Sequence, residues 1–416
     1  MTPQMTAVDA FAGVGWGVAC DRLGIREYGA DNAASVIRTR SANGMRTIYR
    51  DVWAGLFEPS LVPPHRMSIA SPPCQTFSMA GGGEGRQALD DVLTAIDDES
   101  WKSPAALHAL GERMDPRTAL VLTPLAHIWA HRPELVALEQ VPPVLPIWRR
   151  IAQVLRTLGY SAWSGILHAE QYGVPQTRDR AILMARLDGP VKPPTPTHSR
   201  YYTAQPKRLD PGVEKWVSMA EALGWGMTER PYPTIATARE TGGPDKEKVG
   251  GSAVRAAIYA EQEAGRWVAH KVMGSGMVER HGERPDRSLD QPAFTVRASA
   301  GGSAPGGFVW AEKWPFERPA TTVVGSFSPD VIAAPGRRDR ETSRQDAPGS
   351  VRVTFEEAAA LQSFPPDFVW KGTKTARFQI VGNAVPPLMA EAILRSLLAP
   401  AEKRDAWSEI FAEVAG

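Results

Sequence analysis

In the first part of the chain, short apolar runs alternate with longer segments in which apolar residues recur with helical periodicity. The first run, residues 8–12, is followed by a glycine turn and by an apolar-periodic segment that ends near Leu23. A run of four to eight largely apolar residues between turn signals is typical of a buried strand. The pattern therefore predicts a strand, a tight turn and a helix at the start of the chain.

Further strands are predicted in the same way at residues 27–30, 47–49, 67–70, 135–138, 165–168 and 181–185. Helical periodicity lies between them, most clearly over residues 118–130 and 147–158. Strands that alternate with helices usually form a parallel sheet, because each helix carries the chain back across one face of the sheet. The predicted fold class is α/β, with a doubly wound parallel sheet and right-handed crossovers.

The pattern changes after Leu187, where proline, glycine, arginine and aromatic residues become frequent and periodicity fades until about residue 351. A short phrase recurs around Pro231, Pro292 and Pro319, and each copy is typical of a turn that leads into a short strand. Their uneven spacing excludes a solenoid. Helical periodicity returns at residues 354–362 and 386–398. We therefore expect one large domain from residues 1–189 plus 351–416, and a second, smaller, irregular β-rich domain from residues 190–350.

A long connection separates the fourth predicted strand from the helix that begins near residue 118. Its glycine-rich run, residues 81–85, predicts a hinge and a mobile lid. Residues 89–114 are interpreted as a flexible linker or a small peripheral insertion.

Composition narrows the class of protein. The 416 residues include 43% hydrophobic and 22% charged residues, and the formal net charge of +1 is neutral evidence on a nucleic-acid partner. There is no apolar run of membrane-spanning length and no apolar leader, so we expect an intracellular, cytoplasmic protein that contacts no membrane. The two cysteines, Cys20 and Cys74, cannot by themselves build a disulfide framework or a cysteine-based zinc site, and no metal is predicted.

Cys74 is the most informative residue, because the rigid turn Ser71-Pro72-Pro73-Cys74 follows the fourth predicted strand directly. Open α/β sheets bind ligands outside the carboxyl ends of their strands, so a thiol at this point faces the crevice. The two prolines restrict the backbone and fix the position of the sulfur. By itself the motif also fits a buried cysteine beside a proline loop. Cys20, on the first predicted helix, is interpreted as a core residue.

Glycines and carboxylates at the ends of the first three strands indicate a nucleoside site. Backbone amides in the turn containing Gly13 and Gly15 can approach a ligand closely, while Asp31 can accept from ribose hydroxyls and Asp51 from an adenine amino group. A dinucleotide fingerprint requires a third glycine where this chain has Val18. The pattern disfavours an NAD site and favours a nucleoside cofactor without a pyrophosphate, of which S-adenosylmethionine is the obvious candidate.

Cys74 and Glu139 follow neighbouring predicted strands, so a thiolate and a carboxyl group are expected to share the crevice with the cofactor. Carbon 5 of a pyrimidine is a poor nucleophile, but addition of a thiolate at C6 converts C5 into an enamine carbon that can attack a methyl sulfonium. Protonation or strong hydrogen bonding at N3 makes the addition feasible, and Glu139 is placed to provide it.

The chain resembles the DNA cytosine-C5 methyltransferases over residues 8–187 and 351–398, with the family's motifs in the family's order. The segments that carry the resemblance are Asp9-Ala10-Phe11-Ala12-Gly13-Val14-Gly15, Pro73-Cys74-Gln75, Glu139-Gln140-Val141, Gln176-Thr177-Arg178-Asp179-Arg180, Leu361-Gln362-Ser363-Phe364-Pro365 and Gly382-Asn383-Ala384-Val385. The resemblance implies a Rossmann-like, S-adenosylmethionine-dependent methyltransferase sheet with a target recognition domain at residues 190–350.

The resemblance also implies roles for individual residues. Cys74 is then the nucleophile, Glu139 the partner of cytosine N3, and Arg180 a donor to cytosine O2. Arg178 is expected nearby, on a backbone phosphate or on active-site groups. The residues expected to line the cofactor or close its site are Phe11, Gly13, Gly15, Asp31, Asp51 and Asn383.

Double-stranded DNA is the implied partner, and the target cytosine must leave the duplex to reach the thiol, at an unstacking cost of a few kcal/mol. We expect a monomeric enzyme encoded by a bacterium or a phage and associated with the nucleoid, with a cognate restriction endonuclease as a candidate partner.

Two positions depart from the family's pattern. Trp16 stands where a second consecutive glycine is usual, and Gln140 replaces the usual asparagine after the glutamate. Trp16 is expected to crowd the methionine end of the cofactor, and Gln140 to orient the nucleophile loop through its longer reach.

Three other functions fit parts of the sequence. Amino-methyltransferases share Ser71-Pro72-Pro73 but carry an aromatic residue where this chain has Cys74. A tRNA cytosine-C5 methyltransferase is a stronger alternative, because thiolate chemistry is indifferent to the sugar, although the long proline-rich domain favours duplex DNA. A catalytically silent binding protein is disfavoured by the intact set of Cys74, Glu139 and Arg180.

Overall fold

The computed structural model describes part of the chain, namely residues 4–73, 77, 89–202, 204–205, 207–223, 271–272, 307–309, 351–352 and 355–400. Cys74, the glycine-rich run proposed as a lid and the three proline phrases lie outside the described residues.

A seven-stranded sheet, in the order β3-β2-β1-β4-β5-β7-β6, forms the centre of the fold. Its strands are β1 (Thr6–Ala10), β2 (Arg26–Ala30), β3 (Arg46–Tyr49), β4 (Met67–Ala70), β5 (Leu135–Gln140), β6 (Ser161–His168) and β7 (Asp179–Arg186). Strands β1 to β5 are mutually parallel. The strand order reverses at β1, so the crevice for a ligand lies above the ends of β1 and β4. The α/β class is confirmed.

One strand runs against the predicted direction. Strand β7 is antiparallel to both β5 and β6, so the sheet is mixed and the prediction of a wholly parallel sheet is wrong there. The connection between β6 and β7, residues 169–178, holds only a single 3₁₀ turn, Ala169–Tyr172. A parallel pair requires a crossover of a dozen or more residues, usually a helix, so this short connection enforces a reversal. As a result β7 begins at the edge where β5 ends.

The helices pack on both faces of the sheet. They are α1 (Gly15–Arg22), α2 (Ala34–Ala42), α3 (Val52–Phe57), α4 (Leu89–Asp97), α5 (Pro104–Arg113), α6 (Pro116–Ala119), α7 (Thr123–His131), α8 (Leu145–Thr157), α9 (Met219–Leu223), α10 (Phe355–Leu361), α11 (Lys374–Asn383) and α12 (Pro387–Leu398).

The side chains of strand β5 alternate between the two faces of the sheet. Leu135 and Ala137 pack with α1 and α12 on one face, where Cys20 is buried as expected. Val136 and Leu138 pack with α4, α5, α7 and α8 on the other face. Alternate side chains of a strand point to opposite faces, so a fully apolar strand is buried on both sides.

The segment interpreted as a linker or peripheral insertion is part of the core. Helices α4 and α5 bury Val92, Ile96, Leu107 and Leu110, and Trp101 between the helices is also buried. Apolar residues recur here at helical spacing, and burying each of them stabilises the fold by roughly 1.5–3 kcal/mol. The interpretation of residues 89–114 was therefore wrong.

The chain returns to the large sheet at its C-terminal end. Helices α10 and α12 agree with the predicted segments, whereas α11 lies in a stretch for which no helix was predicted. Phe355, Phe364 and Phe378 form a cluster with Val36 of α2, and Met389 and Leu394 of α12 pack against α1.

Three short strands lie apart from this sheet in sequence. Strands β8 (Lys271–Val272), β9 (Gly307–Val309) and β10 (Val351–Arg352) form an antiparallel sheet in the order β10-β9-β8. Across the described ranges, none of the helices combines the length and the apolar character needed to cross a bilayer.

Candidate active site

Three chain segments meet at the carboxyl edge of the sheet above β1, β4 and β5. Strand β5 ends in Glu139 and Gln140, and the turn Ser71-Pro72-Pro73 leaves the end of β4 beside it. Because β7 is antiparallel, its first residues lie at this same edge, with Ile182 opposite Glu139. The reversal of one strand therefore brings the Gln-x-Arg-x-Arg segment to the end of β5.

Glu139 and Arg180 form a buried ion pair, with Arg180 Nε 2.6 Å from Glu139 Oε1. Arg180 also donates through Nη1 to the carbonyl of Asp179 at 2.7 Å. Both side chains are almost fully buried, and a buried charge is tolerated when an opposite charge and hydrogen bonds compensate it. The pair places a carboxylate and a guanidinium side by side, facing the same side of the sheet.

The turn that precedes Cys74 is held from two directions. Trp16 Nε1 donates to Ser71 Oγ at 2.9 Å, and Gln140 Nε2 donates to the carbonyl of Pro72 at 2.6 Å. Gln140 Oε1 in turn accepts from the backbone N–H of Val141. The longer reach expected of Gln140 is thus observed as a contact with the turn. Trp16 and Gln140 are the two positions where the chain departs from the family pattern, and both hold the same turn.

The glycine turn after β1 is fastened to the end of β2. Phe11 and Gly13 have positive φ angles of 59° and 50°, which bend the backbone sharply. The N–H of Gly13 donates to Asp31 Oδ2 at 3.1 Å, and the N–H of Ala33 donates to Asp31 Oδ1 at 2.9 Å. A Cβ placed on Gly13 would meet no atom within 4 Å, so the space beside this turn is open.

Two carboxyl groups beside this turn have perturbed pKa values. Burial raises the pKa of Asp31, and the N–H groups of Ala33 and Gly13 partly offset that effect. Burial, with a smaller contribution from Glu27, raises the pKa of Asp9 well above its ordinary value. Both carboxyl oxygens of Asp9 are buried without a hydrogen-bond partner among the described residues. Burial without a partner favours the neutral, protonated form of Asp9.

Asp51 follows the end of β3 and is exposed. Its carboxylate accepts from the N–H of Trp53 at 3.0 Å and caps the first turn of α3. One carboxylate oxygen therefore has a structural role, while the exposed side chain keeps further acceptor positions.

One wall of the site is formed by the C-terminal return, the segment of residues 355–398 in which the chain packs again on the large sheet. Arg178 is buried, and its Nη2 donates to the carbonyls of Gly382 at 2.9 Å and Ala384 at 3.0 Å. Asn383, between these two residues, is the exposed last residue of α11. Gly15 touches the same segment, because a Cβ at Gly15 would lie 2.0 Å from the carbonyl oxygen of Val385. Only glycine fits at this contact between α1 and the return.

Sequence reasoning missed two contributors to this arrangement. Gln362 is buried; it accepts from Gln176 Nε2 at 2.8 Å and donates to the carbonyls of Val381 at 3.1 Å and Ala384 at 2.8 Å. Arg40 donates to the carbonyl of Gly13 at 3.1 Å. Gln362 and Gln176 were visible as motif members without a role, whereas nothing in the sequence pairs Arg40 with the glycine turn.

The structure thus brings together three groups of predicted residues. Glu139 contacts Arg180, and Gly13 contacts Asp31. Gly15 and Arg178 meet through the C-terminal segment that also holds Asn383.

Comparisons with known proteins give a matching family profile and several relatives. A family profile described as "C-5 cytosine-specific DNA methylase" matches residues 111–399. The Type II methyltransferase M1.HphI of Haemophilus parahaemolyticus is 26% identical over 333 residues, which cover 79% of this chain and 67% of that protein. The putative Type II methyltransferase M.OihORF3336P of Oceanobacillus iheyensis is 26% identical over 400 residues, covering 79% of this chain and 78% of that protein.

Among solved structures, the Dnmt2 methyltransferase of S. pombe superposes with a TM-score of 0.51 at 14% sequence identity. The superposition covers 95% of this chain and 98% of that one. At this identity the likeness concerns the fold.

Proposed function

The chain belongs to the C-5 cytosine-specific DNA methylase family, and we propose that it methylates C5 of a cytosine flipped out of duplex DNA through a covalent adduct with Cys74. The observation that carries the proposal is the buried pair of Glu139 and Arg180, which lies beside the turn leading to Cys74. A carboxyl group and a guanidinium held at one point are the groups needed at N3 and O2 of a cytosine.

The residues around the glycine turn fit S-adenosylmethionine as the methyl donor. The open space beside Gly13, the carboxylate of Asp31 and the exposed carboxylate of Asp51 suit a nucleoside with a free ribose and an amino group. Phe11 would pack on the nucleoside, Gly15 lets the C-terminal segment approach, and Asn383 would close the site. When bound, S-adenosylmethionine supplies an electrophilic methyl group.

Cys74 would act as the nucleophile. Its thiolate adds to C6 of the cytosine, so that C5 gains the electron density it needs to accept a methyl group. Once C5 carries the methyl group, a water molecule takes the C5 proton, and the electron pair of that C–H bond forms the C5–C6 double bond and expels the thiolate from C6. The N3 proton returns to Glu139, so the aromatic ring is restored. The hydrogen bonds from Trp16 and Gln140 hold Ser71 and Pro72 of the preceding turn, which would reduce the entropy lost when the thiol reaches the reactive geometry.

Glu139, whose carboxylate pairs with Arg180 in the free protein, would take up a proton as the cytosine enters and hold it at N3 while the thiolate adds to the ring. Charge that develops on its carboxylate as the proton moves toward N3 is compensated by Arg180, whose Nε already lies 2.6 Å from Oε1. Arg180 would also donate to cytosine O2. Arg178 would support this group by fastening the C-terminal segment through the carbonyls of Gly382 and Ala384.

Duplex DNA is the proposed substrate, and residues 190–350 are proposed to read its sequence. The names of the two relatives, both Type II methyltransferases, support DNA over tRNA and support a partnership with a restriction endonuclease. Flipping the target base would cost a few kcal/mol in lost stacking, to be offset by contacts in the pocket.

Covalent trapping tests the proposal directly. A duplex in which 5-fluorocytosine replaces every cytosine contains the target sequence, whatever that sequence is. A base can remove a proton from C5 but cannot remove fluorine in the same way, so the covalent adduct persists. With S-adenosylmethionine present, the full chain should become attached to this duplex, and the adduct should map to Cys74. The Cys74→Ser variant should form no adduct while it still binds the cofactor.

Two results would contradict the proposal. One is a wild-type protein that methylates an ordinary duplex but is never trapped on the fluorinated one. The other is label from the cofactor on adenine, on cytosine N4, or on tRNA in place of DNA.

A further inference from the structure

Three side chains able to ligate a cation gather where β6 ends and β7 begins. His168 is the last residue of β6 and lies opposite Asp179, the first residue of β7. Glu170 follows in the 3₁₀ turn between the two strands. One candidate ligand atom from each of the three residues lies within 4.8 Å of the other two. In register, Arg180 lies opposite Leu167, so its side chain points to the other face of the sheet from this cluster.

His168 and Asp179 are already in contact, and they are the two members of the cluster that solvent can reach. His168 Nδ1 lies 2.7 Å from Asp179 Oδ1, with 16% of the histidine side chain and 51% of the aspartate side chain exposed. An ion can therefore reach the cluster from solvent along Asp179, and water can complete its coordination.

Glu170 is the member of the cluster that is buried without a partner for one of its carboxylate oxygens. It is 2% exposed, and its Oε2 is buried without a hydrogen-bond partner among the residues described here. Burial raises the pKa of Glu170 to about 7. A buried polar group left unpaired costs roughly 1–3 kcal/mol, so a native structure usually provides a partner for it.

We propose that His168, Glu170 and Asp179 bind a divalent transition-metal ion, with Zn²⁺ as the best match. One imidazole and two carboxylates are ligands that zinc accepts, and the two carboxylates balance its charge. The ion would supply the partner that Glu170 Oε2 lacks. The inference does not depend on the methyl-transfer mechanism.

Small side-chain movements would complete the site. Two ligand atoms that are each about 2.1 Å from a tetrahedral zinc ion lie roughly 3.4 Å apart. The pair of His168 and Asp179, at 2.7 Å, would have to open slightly, and the widest separation, up to 4.8 Å, would have to shorten. Rotation of exposed Asp179 provides most of this freedom.

Arg200 is a charged group that opposes the ion. Its positive charge partly offsets the rise that burial causes in the pKa of Glu170. The pKa of Asp179 is lowered chiefly by its hydrogen bond to His168, with smaller contributions from Arg200 and Arg180. A bound cation would compete with Arg200 for the same carboxylates. Replacing Arg200 with an uncharged residue should therefore strengthen metal binding, whereas replacing a ligand should weaken it.

A bound ion would fasten the β6–β7 connection next to Arg180. The sequence predicted no metal, because its two cysteines cannot by themselves build a zinc site. His168 and Asp179 are 11 residues apart, and only the antiparallel pairing of β6 with β7 makes them neighbours.

The test uses the full chain without a histidine tag, stripped with a chelator and titrated with Zn²⁺ in a calorimeter. We expect one saturable equivalent in the wild type, and thermal unfolding at a higher temperature when zinc is added, because an ion that binds only the folded state stabilises it. Glu170→Gln and Asp179→Asn should each weaken zinc binding at least tenfold, whereas Arg200→Gln should tighten it.

Glu112→Gln is the matched control, since Glu112 lies 3.9 Å from His108 in an exposed pair that imitates a weak surface site. It should bind zinc as the wild type does. Absence of a saturable equivalent in the wild type would overturn the proposal. Unchanged binding in the half-exposed Asp179→Asn variant would overturn it equally, even if Glu170→Gln failed to fold.

Discussion

At the scale of single residues, the two departures from the family pattern serve one purpose. Trp16 and Gln140 both hold the turn that leads to Cys74, one through Ser71 and the other through Pro72. A rigid turn matters because a displacement of about 1 Å at a reacting atom can cost a hundredfold in rate. The usual glycine at the position of Trp16 could make no such bond.

Trp16→Phe should lower kcat for methylation by a larger factor than its effect on the free energy of unfolding would explain. Phe is smaller than Trp, so the substitution leaves part of this buried site empty, and it also removes the hydrogen bond to Ser71, which contributes about 0.5–1.5 kcal/mol. We expect kcat to fall about tenfold because the turn is less well held. Urea unfolding and the rate at saturating DNA and cofactor measure the two effects.

Trp101→Phe is the matched control. Trp101 is also fully buried and donates one bond, 3.0 Å long, to the carbonyl of Ile96 in the helical segment away from the turn. It should lose similar stability and keep the wild-type rate. Equal losses of rate in the two variants would argue against a specific role for the bond from Trp16.

At the scale of secondary-structure elements, Arg40 joins α2 to three other segments. Its side chain is fully buried, and Nη2 lies 2.7 Å from Glu27 Oε1 on β2. Further bonds reach the carbonyl of Arg46 at 2.8 Å and the hydroxyl of Thr47 at 3.2 Å on β3. A last bond reaches Gly13 in the cofactor turn. One guanidinium thus connects the helix, two strands and the turn.

Arg40→Leu should destabilise the protein by about 3–5 kcal/mol, because it leaves Glu27 as an uncompensated buried charge. Burial already raises the pKa of Glu27, and Arg40 is the group that offsets this. Chemical unfolding measures the effect. Arg38→Leu, at an exposed position of the same helix, should change stability by less than about 0.5 kcal/mol. If the two variants were equally stable, the buried pair would not hold these elements together.

Three histidines join α7 to the start of β4. The rings of His127 and His131 on α7 lie 4.5 Å apart, and His65 lies 5.2 Å from His127. Ser68 Oγ lies 3.1 Å from His65 Nε2 and 3.3 Å from His127 Nδ1. Burial lowers the pKa of all three histidines, most strongly that of His127. The folded protein therefore keeps them neutral.

This cluster predicts a loss of stability in acid. Below about pH 6.5 the histidines of the unfolded chain take up protons that the folded chain does not, so the free energy of unfolding falls as the pH falls. His127→Gln should make that fall less steep between about pH 6.5 and 5. Urea unfolding at several pH values measures the slope. His108→Gln, on the exposed side of α5, should keep the wild-type slope, and an unchanged slope in His127→Gln would contradict the prediction.

At the scale of the whole molecule, buried polar groups close the fold between distant parts of the chain. Gln176, before β7, bonds to Gln362 after α10, and Gln362 reaches the carbonyls at the end of α11. Arg178 bonds to the same segment. The C-terminal helices are thereby held against the sheet beside the candidate active site.

Gln362→Leu should cost about 2–4 kcal/mol, because Gln176 and two backbone carbonyls lose a partner in a buried place. We also expect slower methylation, since the carbonyl of Ala384 is shared with Arg178. Gln153→Leu, at an exposed position of α8, is the control and should be nearly neutral in both assays. A variant at 362 with wild-type stability and rate would show that the network does not close the fold.

The apolar pattern was sufficient to place most elements of the large sheet. Strand β4 has the predicted bounds, Met67–Ala70, and the helices at residues 145–157 and 387–398 lie within two residues of their predicted positions. Helix α11 and the helices at 89–113 were missed. Glycine and polar residues interrupt the apolar stripe of α11. The glycine-rich run before residue 89 suggested a linker where the other helices lie.

The sequence by itself determined the α/β class, the order of the motifs and the residue types that can carry the chemistry, because these depend on local periodicity and on spacing along the chain. The tertiary structure alone decided that β7 lies beside β5, that Arg180 therefore meets Glu139, and that Arg178 bonds to the C-terminal segment. These contacts join residues 41 to 204 positions apart. No local signal specifies such pairs, since they arise only when the whole sheet has been assembled.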